Sequence, residues 1–223
     1  MSSVHIQHRV PGPMLRFSDR ADAGRRLAEY IAPRPNPDAL VFGLPRGGLP
    51  VGRPLASALE CELHPALVRK LPIPSDPEMG FGAVTIDGTL RLNEPVIQAF
   101  RITPAEVTRV AEEVRAEIER RATVYPGGWP LPPIEGKTVW LVDDGLATGL
   151  TMLAGAQMLR ARGPRRLAVA IPCSPTDSLA RVASLADEVW CLYVQYARPF
   201  AVASYYRDFH DLADAEVRAA LAG

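Results

Sequence analysis

The stretch 137–171 constrains this chain more than any other. Val139-Trp140-Leu141-Val142 is an unbroken apolar run with the length of a buried strand. Two acids and a small, hydroxyl-bearing loop follow, Asp143-Asp144-Gly145-Leu146-Ala147-Thr148-Gly149-Leu150-Thr151. A helical segment then runs to about Arg162 and stops at Gly163-Pro164, and a second apolar strand spans residues 167–171. Strand, helix and strand in that order predict parallel pairing, because parallel neighbours need a crossover of a dozen or more residues. The chain is therefore expected to build an α/β fold with a mainly parallel sheet flanked by helices.

The rest of the chain repeats the alternation. Residues 18–31 read as a helix stopped at Pro33, and 38–44 as a short strand ending in Pro45-Arg46-Gly47-Gly48. A helix follows over 49–59; Pro50 suits its first turn, whereas Pro54 is expected to kink or shorten it. Residues 63–69 read as one strand ending at Lys70. Residues 71–93, with three prolines and several glycines, read as a long flexible excursion closing in a hairpin at Asp87-Gly88. Thr103-Pro104-Ala105-Glu106 is a capping box opening a helix to about Thr123, with Val107, Val110, Val114 and Ile118 on one face. A helix capped by Ser174-Pro175 and a strand over 188–194 complete the pattern, and an aromatic cluster marks the last thirty residues. We expect residues 1–14 to be a tail and 15–223 one domain, with its core at about 38–194, a loop at 71–93 and a C-terminal segment from 195.

Composition narrows the class of protein. Of the 223 residues, 48% are hydrophobic and 22% charged, as in ordinary globular chains. Twenty-five cationic side chains balance twenty-five anionic ones, which removes the electrostatic footprint of non-specific nucleic-acid binding. Lys70 and Lys137 are the two lysines among these cations. No apolar run reaches the ~20 residues of a membrane span, and residues 1–14 lack the apolar stretch of a secretory signal, so a cytoplasmic location is expected. Cys61, Cys173 and Cys191 fit neither a disulfide framework nor a zinc site, and are expected to be buried free thiols.

In open α/β sheets, ligands sit at the carboxyl ends of strands. There, backbone N–H groups and hydroxyls of a Thr-Gly-Leu-Thr loop at a helix N-terminus suit a phosphate. Adjacent carboxylates before it accept hydrogen bonds from vicinal hydroxyls or hold a hydrated cation. A ribose 5-phosphate has both features at that separation.

The segment from Val139 to Thr151 resembles the phosphoribosyl pyrophosphate (PRPP) signature of type I phosphoribosyltransferases, matched at its characteristic positions. Two more segments resemble the family in the right order: Leu44-Pro45-Arg46-Gly47-Gly48, placed like its pyrophosphate loop, and Val68-Arg69-Lys70, leading into a mobile loop. The wording is especially similar to bacterial phosphoribosyltransferase-domain proteins with a Leu-Pro-Arg-Gly-Gly loop. The resemblance implies a five-stranded mainly parallel core with a small hood and a long flexible loop. It also implies transfer of 5-phosphoribosyl from PRPP to a nitrogen of a nucleobase-like heterocycle with release of pyrophosphate, within nucleotide metabolism.

On that resemblance the PRPP-binding residues would be Asp143, Asp144, Gly145, Leu146, Ala147, Thr148, Gly149, Leu150 and Thr151. Asp143, Asp144 and Lys70 would be catalytic. Arg46, Gly47, Gly48, Arg69, Lys70 and Arg207 would receive pyrophosphate. Val194 and Tyr196 would face the acceptor base. Mg²⁺ would be held through PRPP, with contact to Asp143 or Asp144 by water and no direct protein ligand, and a homodimer is expected of the family. One departure stands out: 6-oxopurine relatives place an aspartate just before the Thr-Gly to serve the base, and this chain has Ala147. That keeps alive the alternative of a non-catalytic PRPP- or nucleotide-binding regulator with the same fold. A phosphoacceptor domain fits poorly, since no lysine follows the acids. A metal-dependent hydrolase lacks a supporting His or carboxylate cluster.

Overall fold

The computed structural model of the protein describes residues 2–12 and 14–222, apart from the side chains of Pro77 and Glu78. The elements in chain order are β1 (Ser3–Val10), α1 (Arg20–Ile31), β2 (Leu40–Gly43), α2 (Gly48–Leu59), β3 (Glu62–Pro65), β4 (Val68–Ile73), β5 (Asp76–Thr85) and β6 (Leu90–Leu92). They continue with α3 (Glu94–Ala99), α4 (Pro104–Ala122), β7 (Thr138–Val142), α5 (Leu150–Arg160), β8 (Arg166–Pro175), α6 (Thr176–Ala183) and β9 (Glu188–Gln195). A 3₁₀ turn (Val202–Tyr205) and α7 (Asp214–Ala222) end the chain.

Six strands in the order β1-β9-β8-β7-β2-β3, all parallel, form the main sheet. The expected α/β architecture holds, with one strand more than five. The sixth is β1, drawn from the segment read as a tail. Val4, Ile6 and Val10 alternate with polar residues there, the period-2 pattern of an edge strand. Cross-strand stacking fastens it: His5 lies 3.9 Å from its register partner Trp190, and His8 lies 5.0 Å from Tyr193.

The second correction concerns residues 63–93. The single strand expected over 63–69 divides at Ala66-Leu67, so that β3 ends the main sheet while β4 enters another. The expected flexible loop is a three-stranded antiparallel sheet, β4-β5-β6, with the predicted Asp87-Gly88 turn between its last two strands. Two layers of strands explain the character of α5. Met152, Leu153, Ala154, Gly155, Ala156, Met158 and Leu159 are all buried, because the helix packs on β7 and β8 and also on β4, β5 and β6. A Cβ on Gly155 would come within 3.4 Å of Leu141, Leu44 and Val68, which belong to the two layers and the turn after β2.

Smaller details follow from packing. The helix α2 continues through Pro54 instead of ending there; Pro54 and Val51 pack against Gly24 of α1, where a Cβ would meet the Val51 carbonyl at 2.5 Å. The capping box of α4 forms as read, with Thr103 Oγ1 accepting from the Glu106 N–H at 3.2 Å. The helix α6 begins at Thr176 without side-chain capping, and Ser174 Oγ donates to the Pro175 carbonyl instead. Cys173 and Cys191 are buried and Cys61 half-buried, all as free thiols. No helix among the described residues is long and apolar enough to cross a membrane.

The topology alone marks one place for a ligand. From β2 the chain crosses through α2 to β3 on one side; from β7 it crosses through α5 to β8 on the other. Strands β2 and β7 are neighbours, with Gly43 opposite Val142. The crevice at their carboxyl ends is thus the switch point where open α/β sheets bind ligands.

Candidate active site

The two loops singled out in the sequence meet at this crevice. Leu44 donates its N–H to the Val142 carbonyl at 2.9 Å, and Gly48 folds over that same carbonyl so closely that a Cβ would lie 2.4 Å from it. Gly47 faces the Asp144 carboxylate, and a Cβ there would fall 1.9 Å from Oδ2. These glycines let the β2 loop lie flat against the acids at the end of β7. The Pro45–Arg46 peptide is cis.

Asp143 and Asp144 differ in environment. The Asp143 carboxylate is turned inward and accepts the Asp144 N–H at 2.9 Å. Burial, reinforced by the neighbouring Asp144 charge, pushes its pKa well above the carboxylate range. Burial raises that of Asp144 too, but Arg20 opposes the rise: its Nε donates to Oδ2 at 2.8 Å. The Tyr206 hydroxyl donates to the Asp144 carbonyl at 2.6 Å, and burial raises the Tyr206 pKa well above its ordinary value.

Beyond the acids, Gly149 adopts φ +77° as the cap of α5 and has no side chain to cap it, while Thr148 Oγ1 accepts the Leu150 N–H at a long 3.5 Å. The first N–H groups of α5 therefore point toward the crevice end of the sheet without intrahelical partners. The loop is braced from behind. Leu146 donates its N–H to the Cys173 carbonyl at 2.9 Å, and Ser178 Oγ donates to the Ala147 carbonyl at 2.7 Å. Arg181 donates to the Thr148 carbonyl at 3.0 Å.

A cavity of about 580 Å³ opens over this loop. Asp144, Gly145, Leu146, Ala147, Thr148, Gly149, Leu150 and Thr151 form one wall. Lys70, Met79, Gly80, Gly82, Asn93 and Val96 come from the small sheet and the start of α3, and Val202 and Phe209 from the C-terminal hood, the segment 196–213 between β9 and α7. The stem of Lys70 lies across Gly80, where a Cβ would meet Lys70 Cγ at 2.5 Å.

The chain belongs to the phosphoribosyl transferase domain family. The family model for that domain matches residues 87–204. A Mycobacterium tuberculosis (strain CDC 1551) protein named "Putative phosphoribosyl transferase MT0597" is 41% identical over 205 residues. The match covers 92% of this chain and 46% of the relative, so the chain spans about half the length of the curated relatives it matches. The crystal structure of TT1426 from Thermus thermophilus is similar with a TM-score of 0.74 and 38% identity, covering 93% of this chain and 98% of that one.

Within this phosphoribosyl transferase domain, the residues expected at the site fall into two groups. The run from Asp144 to Thr151 and Lys70 share the cavity, with Asp143, Gly47 and Gly48 packed directly behind. The others lie elsewhere. The Arg46 guanidinium donates to the Leu212 carbonyl, and Arg69 pairs with Glu117 of α4. Arg207 is exposed outside the cavity lining, its N–H on the Phe17 carbonyl at 2.8 Å. Val194 is buried inside the sheet between Ser174 and Arg9, and Tyr196 is 64% exposed at the end of β9. The hood presents Val202 and Phe209 to the cavity in their place.

Arg20 is the residue that the sequence reading missed. It opens α1, 124 positions from Asp144, and no local motif marks it. It arrives because residues 16–18 pair with the hood: Phe17 donates its N–H to the Tyr205 carbonyl, and Asp208 donates to that of Ser18, both at 2.9 Å.

Proposed function

We propose that this domain transfers a 5-phosphoribosyl group from PRPP to a ring nitrogen of a heterocyclic acceptor, releasing pyrophosphate. The observation that carries this reading is the cavity at the sheet's switch point, with Asp144 and the start of α5 on one wall and Lys70 on another. The α5 N-terminus with Thr148 and Thr151 suits the 5-phosphate. Asp144, backed by Asp143, suits the two ribose hydroxyls. Lys70 suits the leaving pyrophosphate as a point charge.

The bond from ribose C1 to the pyrophosphate oxygen breaks and one from C1 to the acceptor nitrogen forms, the electron pair leaving with pyrophosphate. Positive charge developing on the sugar is favoured by the carboxylates. The protein's work is then positioning and fixed electrostatics. Mg²⁺ would enter with the donor, as the resemblance to type I phosphoribosyltransferases implies. Among the described residues no cluster of three or more His, Cys, Asp or Glu side chains is placed to hold a metal by itself. Asp144, which lines the cavity, nonetheless fits magnesium's habit of using one or two carboxylates with substrate oxygens and water. When bound, the ion neutralises charge on the leaving group.

One observation favours a second reading, a regulator that binds PRPP or a nucleotide without transfer. Ala147 brings no acid to the cavity, and among the described residues Asp144 is the one carboxylate lining it. Thermal unfolding with Mg²⁺ and PRPP, followed by pyrophosphate release across a panel of bases, separates the two. PRPP at about a hundred times its Kd should stabilise by roughly 2.7 kcal/mol, about 5–10 °C in a domain of this size. Asp144→Asn should reduce that shift, and Asp143→Asn/Asp144→Asn should abolish it. Absence of a shift in the wild type refutes the donor site; a shift without pyrophosphate release from any base favours the regulator.

A further inference from the structure

One guanidinium joins the two sides of the cavity. Arg20 Nε binds Asp144 Oδ2 at 2.8 Å with the two side chains only 10% and 15% exposed, and Nη1 donates to the His210 carbonyl at 2.9 Å. The flat face of the group lies 3.9 Å from the centre of the Phe209 ring. Asp144 and Phe209 both line the cavity, one from the loop after β7 and one from the hood. On the remaining side Gly47 leaves room for the ion pair and nothing larger, since a Cβ there would lie 3.0 Å from Arg20 Nε. The Asp144 backbone is tied to the same hood through the Tyr206 hydroxyl.

We propose that Arg20 is a positioning residue, which fixes the Asp144 carboxylate for the donor sugar and locks it to the hood wall that carries Phe209. This rests on the donor-site reading above. The three contacts use what distinguishes arginine: separate N–H donors in a rigid fork and a planar face that stacks on an aromatic ring. A lysine ammonium supplies the charge but not the fork and the face together. In metal sites, removing the hydrogen-bond partner of a ligating group typically costs about 10–100-fold in affinity or activity, and a carboxylate that holds sugar hydroxyls depends on its orientation in the same way. The bond also makes donor binding and the hood wall interdependent: a carboxylate that turns away from Arg20 releases the surface on which Phe209 rests.

The test is calorimetric titration of PRPP with Mg²⁺ into the full chain, using wild type, Arg20→Lys, Arg20→Met, Asp144→Asn and Arg20→Met/Asp144→Asn. Arg109→Met, on an exposed pair of α4, is the surface control, and circular dichroism checks the fold of each variant. Arg20→Met should weaken binding at least tenfold and Arg20→Lys by an intermediate factor. The double variant should bind no more weakly than Asp144→Asn alone, because Arg20 acts through that carboxylate. A folded Arg20→Met with wild-type affinity, or losses that multiply in the double variant, overturns the proposal and leaves the donor site standing. If Arg20→Met fails to fold, Arg20→Lys decides: wild-type affinity there overturns the assignment, and a loss of several-fold supports it. Wild type that does not bind PRPP overturns the donor-site reading, and this proposal with it.

Discussion

Gly47→Ala is the substitution whose outcome the geometry fixes most closely. Gly47 sits at φ −65°, ψ −32°, ordinary right-handed helical backbone at the start of α2. On backbone grounds alone, alanine should therefore help, by about 0.4–1 kcal/mol. The added Cβ would lie 1.9 Å from Asp144 Oδ2, 2.5 Å from its Cγ and 3.0 Å from Arg20 Nε. A carboxylate is the end of a short side chain and can rotate away, but it then gives up Arg20. Breaking a buried ion pair costs about 3–5 kcal/mol when its charges are left uncompensated. Taking the lower figure and subtracting the backbone gain leaves a loss of about 2 kcal/mol, or about 4–8 °C in Tm for a domain of this size. Differential scanning calorimetry on Gly47→Ala and Gly47→Ala/Asp144→Ala tests both halves. The second change removes the clash, so adding it should cost less than Asp144→Ala costs in the wild-type background. A Gly47→Ala variant as stable as wild type, or stabilised, would refute the steric reasoning.

Two further outcomes follow from the same loop. Asp143 has its pKa raised in the folded protein, so the folded state holds that proton more tightly than the unfolded chain does. Its contribution to stability is complete below the ordinary carboxylate value and is lost as pH rises toward the raised one. Asp143→Asn should therefore melt above wild type at about pH 8 and lose that advantage by about pH 4; a gap constant across this range would contradict the burial argument. Gly149→Ala should cost about 1–2 kcal/mol, since φ is +77° there and a Cβ would otherwise meet only ordinary contacts, the nearest at 3.5 Å. Gly149→Asn should cost less than alanine by urea denaturation, and equal losses would point to packing instead of backbone strain.

What could be read in advance depended on the range of the interaction. The acid pair, the Thr-Gly loop and the Leu-Pro-Arg-Gly-Gly turn are contiguous, and each is built by local backbone geometry beside a strand end. They reach the crevice because strand ends do. The strand β1 reads as a tail in the sequence, because the alternation of Val4, Ile6 and Val10 is broken up by two histidines whose stacking partners lie in β9, near the other end of the chain. Arg46 and Arg69 show the opposite failure. Their place in the order of segments is that of pyrophosphate ligands, yet the Leu212 carbonyl and Glu117 hold them in this structure. A flexible cation goes to the acceptor that folding brings near it, which neighbours in sequence do not specify.

The sequence by itself determined the alternation of strands and helices, the parallel sheet and the acid pair and Thr-Gly loop after β7, because periodicity, caps and glycine positions act over a few residues. The tertiary structure decided which hood residues line the cavity and that Arg20 sits on Asp144. It also turned residues 68–92 into a second sheet over α5. Those outcomes depend on contacts between segments far apart in the chain, where the energy of pairing exists only once both partners have been brought together.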